Sequence, residues 1–344
     1  MSQSLERYSR QILLQHIGVD RQKLLSNSTV VVIGCGALGT ISSSYLVRAG
    51  VGQIRIVDRD FIEESNLQRQ ILFDEKDISE NLPKAIAAQR KLQVINHRVN
   101  VEGIVTDINY SNIEELTKDA DIIIDGTDNF ETRFLINDFC VKNDIPWIYA
   151  ACIGSRGVVM NILPSKTPCL RCVFETMPQI GSFPTCNTAG VIGPIAGIIA
   201  SFQVAEAIKI LTGNDVSVNK NLIDIDVWET KFRQIDISNL KVENNCPTCK
   251  LHNYEYLKAE TGIMTTFLCG KNAVQVMYRN SGNIDLRQLE KRLRAIADVS
   301  CNDFMLKFNV KDHAFTVFVD GRAIITGTAD PGTAKGLYSK YLGM

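Results

Sequence analysis

The chain has 344 residues, 45% hydrophobic and 22% charged, and its 37 Lys and Arg against 38 Asp and Glu leave a net charge of −1. That composition can bury a large core, in one big or two moderate domains, and excludes wholesale disorder. There is no dense basic run to track a phosphodiester backbone and no apolar leader in Met1–Arg7, so nucleic acid is not an expected partner and the cytosol is the expected location.

A helical segment, Leu5 to Leu25, opens the chain with Arg7, Arg10 and Arg21 on it and is broken at Gly18. Val30–Ile33 is an apolar strand that runs into Gly34-Cys35-Gly36-Ala37-Leu38-Gly39. Gly34, Gly36 and Gly39 allow a tight turn and close backbone approach to a phosphate, and the helix Thr40–Ala49 aims its first amides at that anion. Gln53–Asp58 is a second strand, ending in a carboxylate 19 positions after Gly39, the spacing for an acid that holds a ribose hydroxyl. These two signals specify a dinucleotide-type fold and leave the ligand open.

Cations follow, for which a nicotinamide enzyme has little use: Ser65-Asn66-Leu67-Gln68-Arg69-Gln70, then Leu82-Pro83-Lys84. Pro83 suits the first turn of a helix to about Ile95, where the helix dipole disfavours the Lys84 charge by about 0.3–1 kcal/mol unless an anion is bound. Asp121–Asn129 is a further apolar strand ending in a carboxylate that can hold magnesium through oxygen ligands. Apolar runs at 30–33, 54–57, 101–105, 122–124 and 147–150 predict an α/β fold, a doubly wound, Rossmann-like and mostly parallel sheet, with these loops converging at the strands' carboxyl ends.

Beyond the sheet come a glycine-containing strand pair at 153–163, an apolar helix within Gly190–Leu211 and a strand near Leu222–Val227. Pro194, Ser201, Gln203, Glu206 and Lys209 interrupt the apolar helix too often for a membrane span, and its small residues suit a close helix contact or a subunit interface. Among ten cysteines, Cys169-Leu170-Arg171-Cys172 and Cys246-Pro247-Thr248-Cys249 form two knuckles separated by 73 residues. Four thiolates fill a tetrahedral shell, so the expected ion is a structural zinc. The doubly wound domain with its knuckles is read as 1–253 and a small α+β module as 254–344. In the module, strands are expected at 274–278, 304–308, 314–319 and 323–326, with a two-residue Asp320-Gly321 turn and helices at 286–297 and 333–341. Gly327–Gly332 imitates a phosphate loop but has Thr333 where the lysine belongs, and is read as a turn capping the last helix.

Arg7-Tyr8-Ser9-Arg10-Gln11, Gly34–Gly39, Asp58, Asn66–Gln70, Pro83-Lys84, Thr127-Asp128-Asn129 and the paired knuckles, in this order, resemble the ThiF/MoeB family of sulfur-carrier-protein adenylyltransferases, relatives of ubiquitin-activating enzymes. The resemblance covers residues 5–250 and implies a reaction: ATP with magnesium activates the C-terminal glycine of a ubiquitin-like carrier ending in Gly-Gly, releasing pyrophosphate, and a sulfur donor such as a cysteine desulfurase then makes the thiocarboxylate. It also implies roles. Asp58 holds the ribose, Asn66, Arg69 and Lys84 contact phosphates, Asp128 positions magnesium, and Asp60, Gln70 and Asn129 complete the nucleotide set. Arg10 reaches the neighbouring site of a homodimer, and Cys186 stands where the thiazole branch has a cysteine able to bond the activated carrier. Whether the carrier belongs to the thiazole or the molybdopterin branch stays open. A rhodanese-type loop is not expected in the tail, where Cys269-Gly270-Lys271 is the nearest candidate. The alternatives are a nicotinamide-dependent oxidoreductase, which leaves Arg69, Lys84 and Asp128 unemployed, and a non-catalytic binder of a ubiquitin-like protein, which has no reason to keep a magnesium ligand. An enzyme activating a transfer-RNA base lacks the basic tract such a substrate needs.

Overall fold

A computed structural model describes residues 5–128, 130–175, 190–243, 245–258, 263–268, 272–278 and 284–342. Those between 5 and 175 and between 191 and 258 form one compact unit, and those between 263 and 342 a second.

The first unit is built on an eight-stranded sheet of β1 (Thr29–Ile33), β2 (Gln53–Val57), β3 (Asn100–Ile104), β4 (Ile122–Asp125), β5 (Trp147–Ile153), β6 (Arg156–Ile162), β7 (Leu222–Asp226) and β8 (Lys231–Ile235). Its order is β3-β2-β1-β4-β5-β6-β7-β8. The five strands from β3 to β5 are parallel, and β6, β7 and β8 extend the sheet antiparallel. Strand order reverses between β1 and β4, and in open sheets of this kind ligands bind beyond the strand ends at such a reversal.

Helices α1 (Ser9–Ile12) and α2 (Gly18–Ser26) precede β1, and α3 (Ala37–Ala49) follows it. Helices α4 (Glu75–Ser79) and α5 (Lys84–Ile95) lead to β3, α6 (Ile113–Leu116) to β4, and α7 (Phe130–Asn143) joins β4 to β5. After β6 come α8 (Leu170–Val173) and α9 (Gly193–Leu211), and α10 (Ser238–Glu243) follows β8. Side chains alternate across the strands, so both faces are apolar and both are covered. Val31, Ile33, Ile123, Trp147 and Tyr149 pack with Phe134 and Ile136 of α7, while Val30, Val32, Ile54, Ile56, Ile122 and Ile124 are fully buried on the face carrying α3, α5 and α9. Each such side chain contributes about 1.5–3 kcal/mol of transfer free energy.

The apolar helix expected within 190–211 is α9, long and apolar enough by composition to cross a membrane, yet packed on α3, β5 and β6. Its Gln203 is fully buried, donates from Nε2 to the Asp125 and Ile148 carbonyls, and accepts from the Ser42 hydroxyl. A polar side chain thereby ties α3 to the end of β4, where the crevice opens, and to the start of β5.

The second unit is a six-stranded antiparallel sheet, order β11-β12-β13-β14-β10-β9. It is formed by β9 (Ile263–Leu268), β10 (Ala273–Tyr278), β11 (Val299–Cys301), β12 (Met305–Val310), β13 (His313–Phe318) and β14 (Ala323–Thr326). Leu286, Leu289 and Leu293 of α11 (Leu286–Leu293) and Ala334 and Tyr338 of α12 (Pro331–Leu342) pack on Val274, Val276, Leu306, Phe315, Val317 and Ile325 of one sheet face.

The local corrections have physical causes. The strand pair expected at 153–163 is the single strand β6, which turns at Gly154 (φ +58°) and pairs back on β5. The Asp320-Gly321 turn is a three-residue loop, because the Phe318 N–H donates to the Arg322 carbonyl and Gly321 takes φ +81°, the bulged alternative to a two-residue turn. Strand β8 is exposed along its whole length, so no buried apolar face announces it. The phosphate-loop mimic is a helix cap as expected, with Asp330 accepting from the Thr333 amide and hydroxyl. The Cys269–Lys271 candidate lies outside the described residues.

Candidate functional site

Two glycine loops meet at the β1/β4 reversal. Gly34 has φ +91°, and a Cβ there would lie 2.5 Å from the Gly126 carbonyl oxygen. One on Gly126 would lie 2.3 Å, and one on Gly39 2.0 Å, from the Gly34 carbonyl oxygen. These three glycines exist so that the loops can touch. Gly36 differs, since a Cβ there meets nothing nearer than the Gly126 oxygen at 3.8 Å. As N-cap of α3 it offers no side-chain hydrogen bond to the first helical amides, which leaves an anion-binding helix start facing open space.

Asp58, at the end of β2, is buried and accepts from the Cys35 N–H at 2.5 Å and the Asp60 N–H at 2.7 Å. Lys84, the first residue of α5, is also buried, and its Nζ donates to Asp60 Oδ2 at 3.1 Å. The sequence leaves Lys84 facing the helix dipole without a partner; the structure supplies Asp60 and Asp58. Burial alone would lower the ammonium, but the Asp60 and Asp58 carboxylates override it and hold Lys84 well above the usual lysine range. Burial also pushes Asp58 up, against the pull of Lys84 and with the push of Asp60. Arg59 pairs with Asp107 at 2.8 Å; burial works against its charge, and Asp107, Asp60 and Asp128 raise it. Asp128 is exposed, and its charge acts on Lys84, Arg59 and Arg133 alike. The crevice therefore gathers Lys84, Arg59 and Arg133 with Asp58, Asp60, Asp107 and Asp128 around one loop pair, and the exposed Asp128 is suited to an oxygen-liganded cation.

Asn66 is buried and accepts from the Glu63 N–H at 3.2 Å, closing the turn that carries Arg69. The Arg69 guanidinium donates to the Ser65 carbonyl at 2.8 Å on the surface. Gln70 is buried, with its Nε2 donor 4.0 Å from the Cβ position of Gly36 and its Oε1 without a hydrogen-bond partner among the described residues, a buried acceptor left unsatisfied beside the loop. Two residues to which the sequence reading assigns no role of their own are central. Asp125 is fully buried and accepts from the Thr127 amide, the Thr127 hydroxyl and Arg133 Nε at 3.0 Å. Arg133 Nη2 then donates to the Thr127 carbonyl at 2.7 Å and the Ala150 carbonyl at 3.1 Å. Asp125 is thus occupied in shaping the turn. The sequence signal is an Arg at the fourth position of the helix that follows a strand-terminal Asp, which charge spacing alone does not single out.

Arg10 is exposed on α1. Its neighbour Gln11 binds the Ala49 carbonyl, at the end of α3 about 18 Å along the helix from the glycine loop, so Arg10 does not join the crevice of its own chain. Asn129 and Cys186 lie outside the described residues.

The thiol sulfurs of Cys169, Cys172, Cys246 and Cys249 lie within 4.8 Å of one another. Cys169 is 3.8 Å from Cys172 and 3.5 Å from Cys246, and Cys172 is 3.4 Å from Cys249. Tetrahedral thiolates bonded at about 2.3 Å stand about 3.8 Å apart, so the four fit one metal ion. Around them the Arg171 guanidinium lies over Phe134 and Tyr256, at 5.4 Å and 5.8 Å, and pairs with Glu255.

A doubly wound sheet whose reversal point carries a glycine loop, a buried lysine and an exposed carboxylate, closed by a four-thiolate cluster, defines a nucleotide-binding α/β protein with a metal-type centre. Comparison with known proteins narrows this class. The chain matches the ThiF family over residues 8–250, and it belongs to that family. It is 43% identical to the sulfur carrier protein ThiS adenylyltransferase of Bacillus subtilis over 98% of this chain and 99% of that one. It is 36% identical to the sulfur carrier protein adenylyltransferase of Thermus thermophilus over 72% of this chain and 91% of its relative. Among solved structures, E. coli MccB with ATP aligns at a TM-score of 0.61 and 27% identity, covering 71% of this chain and 74% of MccB.

Proposed function

We propose that the chain is an ATP-dependent adenylyltransferase that activates the C-terminal glycine of a ubiquitin-like sulfur-carrier protein, the step before thiocarboxylate formation in thiazole or molybdopterin synthesis. The observation that carries this reading is the buried Lys84, held charged by Asp60 and Asp58 beside an unobstructed helix start at Gly36. Near-complete coverage by an adenylyltransferase relative supports it. In this reading the carrier carboxylate attacks the α-phosphorus of ATP, the bond to the bridging oxygen breaks, and pyrophosphate leaves with its electron pair. No general base is required, because the nucleophile is ionised at neutral pH. Two anions must approach, so a preorganised cationic pocket supplies most of the rate.

The α3 amides and Gly34, Gly36 and Gly39 cradle phosphate, and Asp58 is the ribose acceptor. Lys84, Arg69 and Asn66 face the triphosphate, with Asp60 and Gln70 lining it and Asn129 beside Asp128. Magnesium, when bound at Asp128, neutralises phosphate charge. The cysteine cluster holds zinc, an assignment supported by all-sulfur ligation. Arg10 completes a partner subunit's crevice in a homodimer, supported by the exposure of Leu13 and Leu14 beside it. Cys186 is the candidate sulfur relay, a cysteine desulfurase the candidate donor, and the cytosol, where ATP and reduced thiols coexist, the site of action. The nicotinamide alternative gives Lys84 and Asp128 no work.

The test is to incubate the chain with ATP, magnesium and a ThiS-type or MoaD-type carrier and to weigh the carrier. A gain of the mass of AMP, with pyrophosphate released, is expected for a carrier with an intact Gly-Gly end. No gain with either carrier, in a preparation that still binds ATP, sinks the proposal.

A further inference from the structure

One face of α7 grips both cysteine knuckles. Phe134, Asn137 and Asp138 stand at positions i, i+3 and i+4 of the helix, hence on one stripe, and all three are fully buried. The Leu170 N–H, in the first turn of the knuckle between Cys169 and Cys172, donates to Asn137 Oδ1 at 2.8 Å. The Thr248 hydroxyl, between Cys246 and Cys249, donates to Asp138 Oδ1 at 2.7 Å. The other Asp138 oxygen accepts the Tyr256 N–H at 3.0 Å, and Phe134 sits beneath the Arg171 guanidinium at 5.4 Å. Adjacent residues of one helix thus fix two segments that 73 intervening residues separate in the chain.

We infer that Asn137 and Asp138 are the outer shell of the four-thiolate centre, positioning residues that hold both knuckles in ligating geometry before the metal arrives and set how firmly it is kept. A buried carboxylate has a large desolvation cost and is kept where it orients other groups. Here its oxygens go to the knuckle hydroxyl and to the backbone just past the second knuckle. Outer-shell partners of metal ligands commonly change metal affinity by about 10–100-fold when removed. The inference rests on the reading that the cluster binds metal.

The experiment loads the full chain with zinc, measures bound metal, and follows its release to a competing chromophoric chelator. Thr248→Val exchanges one hydroxyl for a methyl and removes the bond to Asp138; Thr248→Ser restores a donor. Release from T248V is expected to be about 10–100-fold faster than from wild type, with T248S close to wild type. Replacing zinc by cobalt gives a second readout, since the thiolate-to-cobalt absorption should shift in T248V and return in T248S. Asn137→Ala should also speed release, and should it fail to fold, the Thr248 pair still decides. Wild-type release rates and spectra in T248V, whatever its melting temperature, overturn the inference and leave the metal reading standing. A wild-type chain that takes up no zinc or cobalt overturns the metal reading itself.

Discussion

Lys84 and Arg69 differ in burial, and that separates catalysis from stability. Removing the Lys84 charge leaves the buried Asp58 beside a part-exposed Asp60 with no cation between them, so a loss of activity in K84M carries an unfolding component. Arg69 donates to one carbonyl at the surface. Arg69→Ala should therefore lower carrier adenylation by about 10²–10³-fold while the melting temperature stays within a degree or two of wild type. Equal activity in R69A would remove Arg69 from the phosphate set. Arg133 is the residue whose role only the structure reveals: its fork reaches Asp125, the Thr127 carbonyl and the Ala150 carbonyl together. A lysine has no such fork. Arg133→Lys is expected to loosen the turn that carries Asp128, so that the magnesium concentration for half-maximal adenylation rises several-fold at unchanged carrier KM. An unchanged magnesium requirement argues against that role.

At the scale of elements, strands β1, β4 and β5 are legible as apolar runs rich in β-branched or aromatic residues, the kind a parallel sheet under helices accommodates, and β2 by Ile54 and Ile56 alternating with part-buried Gln53 and Arg55. Strands β8, β9 and β11 are not, since a short or exposed strand is specified by its neighbours' hydrogen bonds rather than by its own side chains. The site divides the same way. Glycines, Asp58, Lys84 and Asp128 stand in recognisable loops, whereas Asp125, Arg59 and Gln203 act through contacts made in three dimensions. The glycines offer a sharp test. Gly126→Ala would put a methyl 2.3 Å from the Gly34 carbonyl oxygen, driving β1 and β4 loops apart, and should destabilise the protein severely. Gly36→Ala meets nothing within 3.8 Å, so it should fold and melt like wild type yet bind ATP at least tenfold more weakly by calorimetry, because the methyl stands where phosphate must approach. Wild-type ATP affinity in G36A shows that the ligand does not use this helix start.

For the molecule as a whole, charge placement fixes the pH range of stability. Asp74 is held below the usual carboxylate range by its hydrogen bond from Lys91 and by the α4 amides that it caps, and Asp226 by the Ser155 hydroxyl and the Glu229 and Trp228 amides. Groups lowered in this way contribute stability above their unfolded value of about 3.9, and that stability is lost as pH falls through the folded value. Lys84 and Lys91 act in the opposite sense: burial lowers them, but their carboxylate partners raise them further. Their contribution is complete below about pH 10.4 and disappears as pH rises through the folded value. Asp58 and Asp138, raised by burial, subtract stability once ionised, which flattens the acid side without moving the alkaline edge. Melting temperature should therefore be level from about pH 6 to 9 and fall at both ends. Asp74→Asn lowers it at pH 7 and makes the acid limb shallower, because position 74 then has no lowered carboxyl to protonate while Asp226 still does. Melts across this range in buffers of equal ionic strength check the pattern, and an acid limb of the same steepness in wild type and D74N would show that Asp74 does not carry it.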